Sequence, residues 1–184
     1  MDSYSNLVNE CNQNINFFTL YLEEIHSKDY NVSIKTLIRK YEFYLTATIL
    51  ELSVTLKNLV LSNSDWEKIF FTKNSFLVIY ESSIHYKNLS SNNGIKNFLK
   101  QRKLSSEKFD LFSKSLDEYL KSEDYKFIEN VRNVITAHFD NSINKYYKTC
   151  YSLDGEKGAV IISKYLSILQ KGFDVINQLN CTTK

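Results

Sequence analysis

The chain has 184 residues, of which 43% are hydrophobic and 24% are charged, a balance that suits a soluble globular protein and excludes intrinsic disorder. Its formal net charge of +2 neither requires nor excludes a nucleic-acid partner. Proline is absent and only four glycines occur, so the two residues that most often interrupt helices are nearly missing, while thirteen tyrosines and twelve phenylalanines supply large apolar surfaces. We therefore expect a single domain over residues 1–184, built from long helices.

The first half of the chain has helical periodicity. Apolar residues recur at steps of three and four over residues 6–27, and a second, longer helix is predicted over residues 33–61. The main apolar stripe of this second helix comprises Leu45, Ile49, Leu52, Leu56 and Leu59. Residues 44–61 are the most apolar segment, but Glu51 and Lys57 lie within it, so we expect no membrane span. Residues 62–66 predict a turn, followed by one or two helices to about residue 86.

The second half continues the helical pattern. Residues 88–94, NLSSNNG, predict an exposed loop, and a short helix follows over 95–103. Ser105 or Ser106 is expected to cap a helix to about residue 120, and Ser122 to cap another that ends near residues 140–142. After a turn at 153–158, a last helix is predicted over 159–179. Its expected core contacts are Val160, Tyr165, Leu169, Phe173 and Ile176. The fold class predicted is therefore all-α, an antiparallel helical bundle.

The cysteines and the N-terminal segment predict a cytoplasmic protein. Cys11, Cys150 and Cys181 are odd in number and widely spaced, which indicates reduced thiols rather than disulfides. No pair of histidines, cysteines or carboxylates has metal-ligand spacing, so we expect no metal and no cofactor. The first fourteen residues lack the basic and apolar regions of a secretion signal.

One segment combines two scarce residue types. Residues 128–140 read IENVRNVITAHFD, and they contain Arg132 and His138, although the chain has only three arginines and three histidines. The guanidinium group offers a planar fork that matches a phosphate, and histidine titrates near neutral pH. Together they provide a minimal set of groups for phosphodiester chemistry.

On a helical wheel, Ile128, Val131 and Ile135 form a buried stripe, with Arg132 and His138 on its two edges. The arginine and the histidine are then about 120° and roughly 9 Å apart. Thr136 lies one turn after the arginine on the same side, and Asn133 points further out. A purely structural interpretation remains open, because an edge histidine is often a packed core residue. An edge arginine likewise often pairs with a carboxylate, such as Glu129.

The segment resembles the R-x(4–6)-H motif of HEPN-domain proteins, and Ala137, His138 and Asp140 resemble abortive-infection members of that superfamily. The resemblance implies a HEPN-type bundle with additional short helices. It also implies a metal-independent endoribonuclease, commonly dimeric, in a toxin–antitoxin or phage-defence role. By the same resemblance, Arg132 and His138 would be the active pair, and Asn133 the polar residue that often follows the arginine.

The expected reaction uses the ribose 2′-hydroxyl as the nucleophile, which requires a base, an acid and positive charge at the phosphorus. One chain contributes a single histidine to this site, so we expect a homodimer with a composite cleft. RNA is the expected substrate, and an antitoxin or defence-system protein a possible partner. The alternative is a catalytically inactive HEPN-like module that binds a protein or a nucleotide.

Further residues are supporting candidates. Glu51 could orient Arg132 from an adjacent helix, although an exposed polar face is the favoured explanation of this residue. Lys145, Tyr146, Tyr147 and Lys148 interleave cations with aromatic rings, as a groove for single-stranded RNA does. A core-facing tyrosine between solvated lysines is the alternative. Asp140 and Thr136 complete the set of supporting residues.

Overall fold

The computed structural model describes residues 3–26, 34–135 and 143–181, which form eight α-helices and no strand, as the all-α prediction requires. The helices are α1 (Ser3–His26), α2 (Ile34–Leu61), α3 (Asp65–Ser90), α4 (Asn93–Lys100), α5 (Lys103–Leu120), α6 (Glu123–Ile135), α7 (Ile143–Tyr151) and α8 (Gly155–Cys181).

Helices α2 and α8 form the centre of the bundle. Helix α2 packs against α1, α3 and α8, and α8 packs against α2, α3 and α5. The stripe predicted on α2 is confirmed, since all five of its members are buried: Leu45, Ile49, Leu52, Leu56 and Leu59. Within the described residues, the segment Leu37–Leu61 is long and apolar enough to cross a membrane by length and composition alone, with a mean hydropathy of 1.2. The core helix of a bundle can have the same length and composition, and the buried stripe of α2 identifies it as a core helix here.

Helix α8 approaches its neighbours closely at Gly172. A Cβ atom added there would lie 2.7 Å from the Tyr41 hydroxyl oxygen of α2 and 3.1 Å from the Phe112 ring of α5. The absence of a side chain therefore lets three helices meet around this position.

Tyr86 connects α3 to α2 through a buried hydroxyl group. Its oxygen lies 2.7 Å from Thr48 Oγ1 and donates a hydrogen bond of 3.0 Å to the Tyr44 carbonyl oxygen. Burial raises the pKa of Tyr86 above its ordinary value, so this hydroxyl stays protonated at neutral pH.

The predicted loop at residues 88–94 is wrong. Helix α3 extends to Ser90 and α4 begins at Asn93, so only Ser91 and Asn92 lie between them. The Asn92 side chain accepts hydrogen bonds from the backbone N–H groups of Gly94 and Ile95 and thereby caps α4. Most of the polar residues in 88–94 therefore belong to the last turn of α3 and the first turn of α4.

Two helix starts also differ from the prediction. Helix α5 begins at Lys103, so Ser105 lies inside it and is buried. Helix α8 begins at Gly155 because the Asp154 carboxylate caps it. This carboxylate accepts hydrogen bonds from the backbone N–H groups of Glu156 at 2.8 Å and Lys157 at 3.4 Å. Val160 is exposed, contrary to prediction, because it lies about 180° from Leu169 on the helix. The other four predicted core residues of α8 are buried.

Candidate active site at the end of helix α6

Helix α6 carries the first half of the predicted motif. As expected, the Ser122 hydroxyl accepts a hydrogen bond from the Tyr125 N–H at 3.2 Å and caps the helix. Two acidic residues in the first turn favour the positive end of the helix dipole. Ile128 and Val131 are buried as predicted, which places Arg132 at the edge of the buried stripe.

Arg132 is positioned by two neighbouring side chains of α3. Its guanidinium carbon lies 4.9 Å from the centre of the Tyr80 ring, in a cation–π contact. Its Nη2 atom lies 3.4 Å from Glu81 Oε1, and the two side chains are 34% and 58% exposed. Charge-assisted hydrogen bonds are normally about 2.7–2.9 Å long, so this ion pair is loose. The guanidinium group is therefore oriented but still partly accessible to solvent.

The ring beneath Arg132 is itself held in place. Tyr80 stacks on Tyr125 of α6, with ring centres 6.1 Å apart and planes within 9° of parallel. The Tyr125 hydroxyl accepts a hydrogen bond of 3.2 Å from Ser83 of α3, and burial raises the pKa of Tyr125. These contacts join α3 to α6 immediately behind the arginine, so the direction of its side chain depends on the packing of two helices.

Of the remaining motif residues that are candidates for the site, only Asn133 lies in the part of the chain that the structure describes. Thr136, His138 and Asp140 lie outside the described residues, so their roles stay predictions. Asn133 is exposed on α6, which is compatible with contact to a ligand.

One carboxylate that pairs with Arg132 belongs to Glu81 of α3. The sequence predicts that Glu51 orients the arginine, but Glu51 is exposed on α2, and Glu129 of α6 is exposed as well. The position expected for Glu51 is thus taken by a residue of another helix, because α6 packs against α3.

The four candidate RNA-binding residues lie on α7, where they divide into two groups. Tyr146 is half-buried, and Lys73 of α3 donates a hydrogen bond of 3.2 Å to its hydroxyl oxygen. It therefore helps to attach α7 to α3. Lys145, Tyr147 and Lys148 are exposed.

Tyr147 belongs to a group of three exposed rings, here called the aromatic cluster, which consists of Trp66 of α3 and Tyr147 and Tyr151 of α7. Residues of α7 contribute to the lining of two surface cavities. A cavity of about 530 Å³ is lined by Tyr4, Lys68, Tyr151, Asp154 and Glu156 among others. A cavity of about 380 Å³ is lined by Asn144, Lys145, Lys148, Thr149 and Ser152.

Sequence reasoning missed Tyr80, Glu81 and Trp66. Nothing local in the sequence connects the first two to Arg132, because the connection depends on how α3 packs against α6. For Trp66 the sequence does offer an indication. It is the single tryptophan of the chain, and it lies in the first turn of α3, between the capping Ser64 and the first buried residue, Ile69, where an exposed side chain is expected.

Other chemically active groups lie elsewhere in the bundle. Cys11 is buried, and burial together with the nearby Glu10 carboxylate raises the pKa of its thiol to about 11, so it is protonated at neutral pH. His85 packs against the Tyr44 ring, and burial lowers its pKa. Within residues 3–26, 34–135 and 143–181, no group of three or more histidine, cysteine or carboxylate side chains is placed to hold a metal ion.

No protein-family model matches the chain, and no curated protein or solved structure is significantly similar to it. The resemblance to HEPN proteins therefore depends on the residues around Arg132 and His138, and function has to be argued from this site.

Proposed function

We propose that this protein is a metal-independent endoribonuclease of the HEPN type, acting in the cytoplasm in a toxin–antitoxin or phage-defence role. Arg132 and His138 are its catalytic residues, and RNA is its substrate. The resemblance of residues 128–140 to the HEPN motif suggests this activity, and the surroundings of Arg132 support it.

The observation that carries the proposal is the placement of the Arg132 guanidinium group. The Tyr80 ring supports it from one side, Glu81 pairs with it loosely at 3.4 Å, and about a third of the side chain remains exposed. A phosphate can replace so loose and exposed a carboxylate, since exposed ion pairs contribute only about 0–1 kcal/mol.

The proposed reaction breaks one phosphodiester bond. A base removes the proton of the ribose 2′-hydroxyl, and the 2′-oxygen attacks the phosphorus atom. The bond to the 5′-oxygen breaks, an acid protonates that oxygen, and the products have 2′,3′-cyclic phosphate and 5′-hydroxyl ends. His138 supplies the base or the acid, and Arg132 stabilises the additional negative charge on the phosphorane oxygens.

We propose that two protomers combine their motif helices, because one chain provides only one His138. Helix α3 has a suitable surface beside Arg132: Phe70, Leu77 and Ile84 are exposed at seven-residue intervals and lie on one side of the helix. The charge change Leu77→Glu should therefore produce monomers and abolish cleavage. Light scattering after gel filtration measures the first effect, and a fully active monomer would contradict the composite site.

The same exposed stripe supports the alternative function. An apolar helical face suits a catalytically inactive module that binds a partner protein, and the loosely paired Arg132 suits a nucleotide phosphate. In that case dimerisation or partner binding would persist without any RNA cleavage.

The decisive experiment compares RNA cleavage by the wild-type protein, His138→Ala and a control, Lys126→Ala, all in EDTA. Lys126 lies on α6 and is exposed, so its loss should change nothing. The proposal requires cleavage by the wild type and the control, cyclic-phosphate ends, and no cleavage by His138→Ala. If all three cleave equally, His138 is not catalytic. If none cleaves any RNA of a varied panel, although all are folded and dimeric, the inactive-module interpretation replaces the nuclease.

A further inference from the structure

The aromatic cluster combines large exposed rings with mutual contact. Trp66, Tyr147 and Tyr151 are 51%, 47% and 65% exposed. The ring centres of Trp66 and Tyr151 are 5.8 Å apart, those of Trp66 and Tyr147 are 6.3 Å apart, and the two tyrosine rings lie 6.2 Å apart within 18° of parallel. Each ring restricts the others, so the cluster presents ordered aromatic surfaces to solvent.

Lysines adjoin the cluster on the same helix. On α7, Asn144, Tyr147, Lys148 and Tyr151 follow one another at steps of three, one and three residues, so they share the outward face. Lys148 and Lys145 line the 380 Å³ cavity together with polar side chains. The larger cavity, on the side of Tyr151, includes the carboxylates of Asp154 and Glu156. Among the residues that the structure describes, the lining of the smaller cavity includes two lysines, whereas the larger cavity is lined by both carboxylates and Lys68.

We propose that the aromatic cluster is a binding platform for single-stranded RNA, with bases stacked on Trp66, Tyr147 and Tyr151 and the adjacent phosphates bound by Lys145 and Lys148. The inference rests on the proposed function in one respect, since it assumes that RNA is the substrate. It adds a second contact region, on α3 and α7, to the site at Arg132.

Charge and composition favour RNA over a protein as the occupant. The cores of protein–protein interfaces are depleted of lysine, whereas here the exposed Lys148 lies on the same face of α7 as Tyr147 and Tyr151, and Lys145 is exposed on the same helix. Proteins that bind single-stranded nucleic acid combine aromatic rings with cations along the backbone path. Base stacking needs unpaired bases, so duplex RNA of the same sequence cannot use the platform.

The test measures binding without cleavage. A labelled single-stranded oligonucleotide of about ten residues, fully 2′-O-methylated so that it lacks the nucleophile, is titrated with the full chain and followed by fluorescence anisotropy. Trp66→Ala and Tyr151→Ala should each weaken binding about tenfold, while Tyr151→Phe, which keeps the ring, should bind like the wild type. Phe43→Ala is the matched control, because Phe43 is an exposed aromatic residue of α2 outside the cluster.

The contribution of the two lysines is tested separately, through the salt dependence of RNA affinity. Lys145→Gln and Lys148→Gln should each reduce the slope of log affinity against log salt by about 0.7, the value for one phosphate contact to a single strand. Equal binding of single-stranded and duplex RNA, or wild-type affinity of both alanine variants, would overturn the platform. The platform would also be overturned if Trp66→Ala converted a dimer to a monomer without changing the RNA affinity, because the cluster would then be a protein interface.

The outcomes separate this inference from the nuclease proposal. His138→Ala should bind the methylated RNA as the wild type does, because the platform does not involve His138. Binding that follows the predicted pattern in a protein that never cleaves RNA would reject the nuclease and keep the platform. Cleavage and binding that are unaffected by loss of Trp66 or Tyr151 would reject the platform and keep the nuclease.

Discussion

Replacing Arg132 with lysine should abolish RNA cleavage and leave the protein folded. The exposed pair with Glu81 contributes about 0–1 kcal/mol to stability, and the cation–π contact with Tyr80 about 0.5–1 kcal/mol. Lysine retains part of both, so we expect a loss of about 1 kcal/mol and a decrease in Tm of about 2–4 °C. Losing the planar fork at the phosphorane, in contrast, should lower the cleavage rate by about 10²–10³-fold.

The assay pairs initial rates of RNA cleavage with thermal unfolding, and Arg102→Lys is its control. Arg102 stacks on an aromatic ring at 4.2 Å, as Arg132 does, but it lies between α4 and α5. Both variants should lose similar stability, and only Arg132→Lys should lose activity. The reasoning is refuted if Arg132→Lys cleaves at the wild-type rate. It is also refuted if Arg132→Lys unfolds at room temperature, since the arginine would then be required by the fold.

Three further predictions concern the bundle. Gly172→Ala should destabilise the protein by about 1 kcal/mol. Crowding of the new methyl group against Tyr41 and Phe112 costs about 1–3 kcal/mol, which exceeds the gain of about 1 kcal/mol in helix propensity. A higher urea midpoint than that of the wild type would contradict this prediction. Tyr86→Phe removes two buried hydrogen bonds and should cost about 1–2 kcal/mol in the same assay, and an unchanged midpoint would show that they contribute nothing. Burial lowers the pKa of His85 below its ordinary value of 6.5. At pH values just below 6.5, His85 is therefore protonated in the unfolded chain but not in the folded one, and the free energy of unfolding should decrease as the pH falls through this range. Urea unfolding at about pH 7.5 and about pH 5.5 checks this, and the difference should shrink in His85→Gln.

The sequence was sufficient to predict the fold class and the interior of the long helices, because burial follows the 3.6-residue period directly. The α2 stripe from Leu45 to Leu59 illustrates this. Helix ends were harder to predict. Asp154 and Asn92 each start a helix through a side-chain hydrogen bond, and a composition-based argument assigns such residues to loops. Val160 is exposed because it lies five residues before Tyr165, a step at which side chains do not share a face of the helix.

The candidate site was predictable only in part. Arg132 was found because its residue type is scarce and its position on the wheel follows from local periodicity. Its neighbours Tyr80 and Glu81 are about fifty residues away in sequence, and only the packing of α3 against α6 brings them to the arginine. The role of His138 stays a prediction.

The central position of α8 has a consequence for the way the chain is made. The ribosome completes α1 to α7 before α8 emerges, yet α8 covers the inner faces of α2, α3 and α5. Until then, buried residues such as Tyr41 and Phe112, which lie beside Gly172 of α8, lack part of their native surroundings in the nascent chain. A chain truncated before Gly155 should accordingly expose apolar surface on three helices and aggregate or bind chaperones.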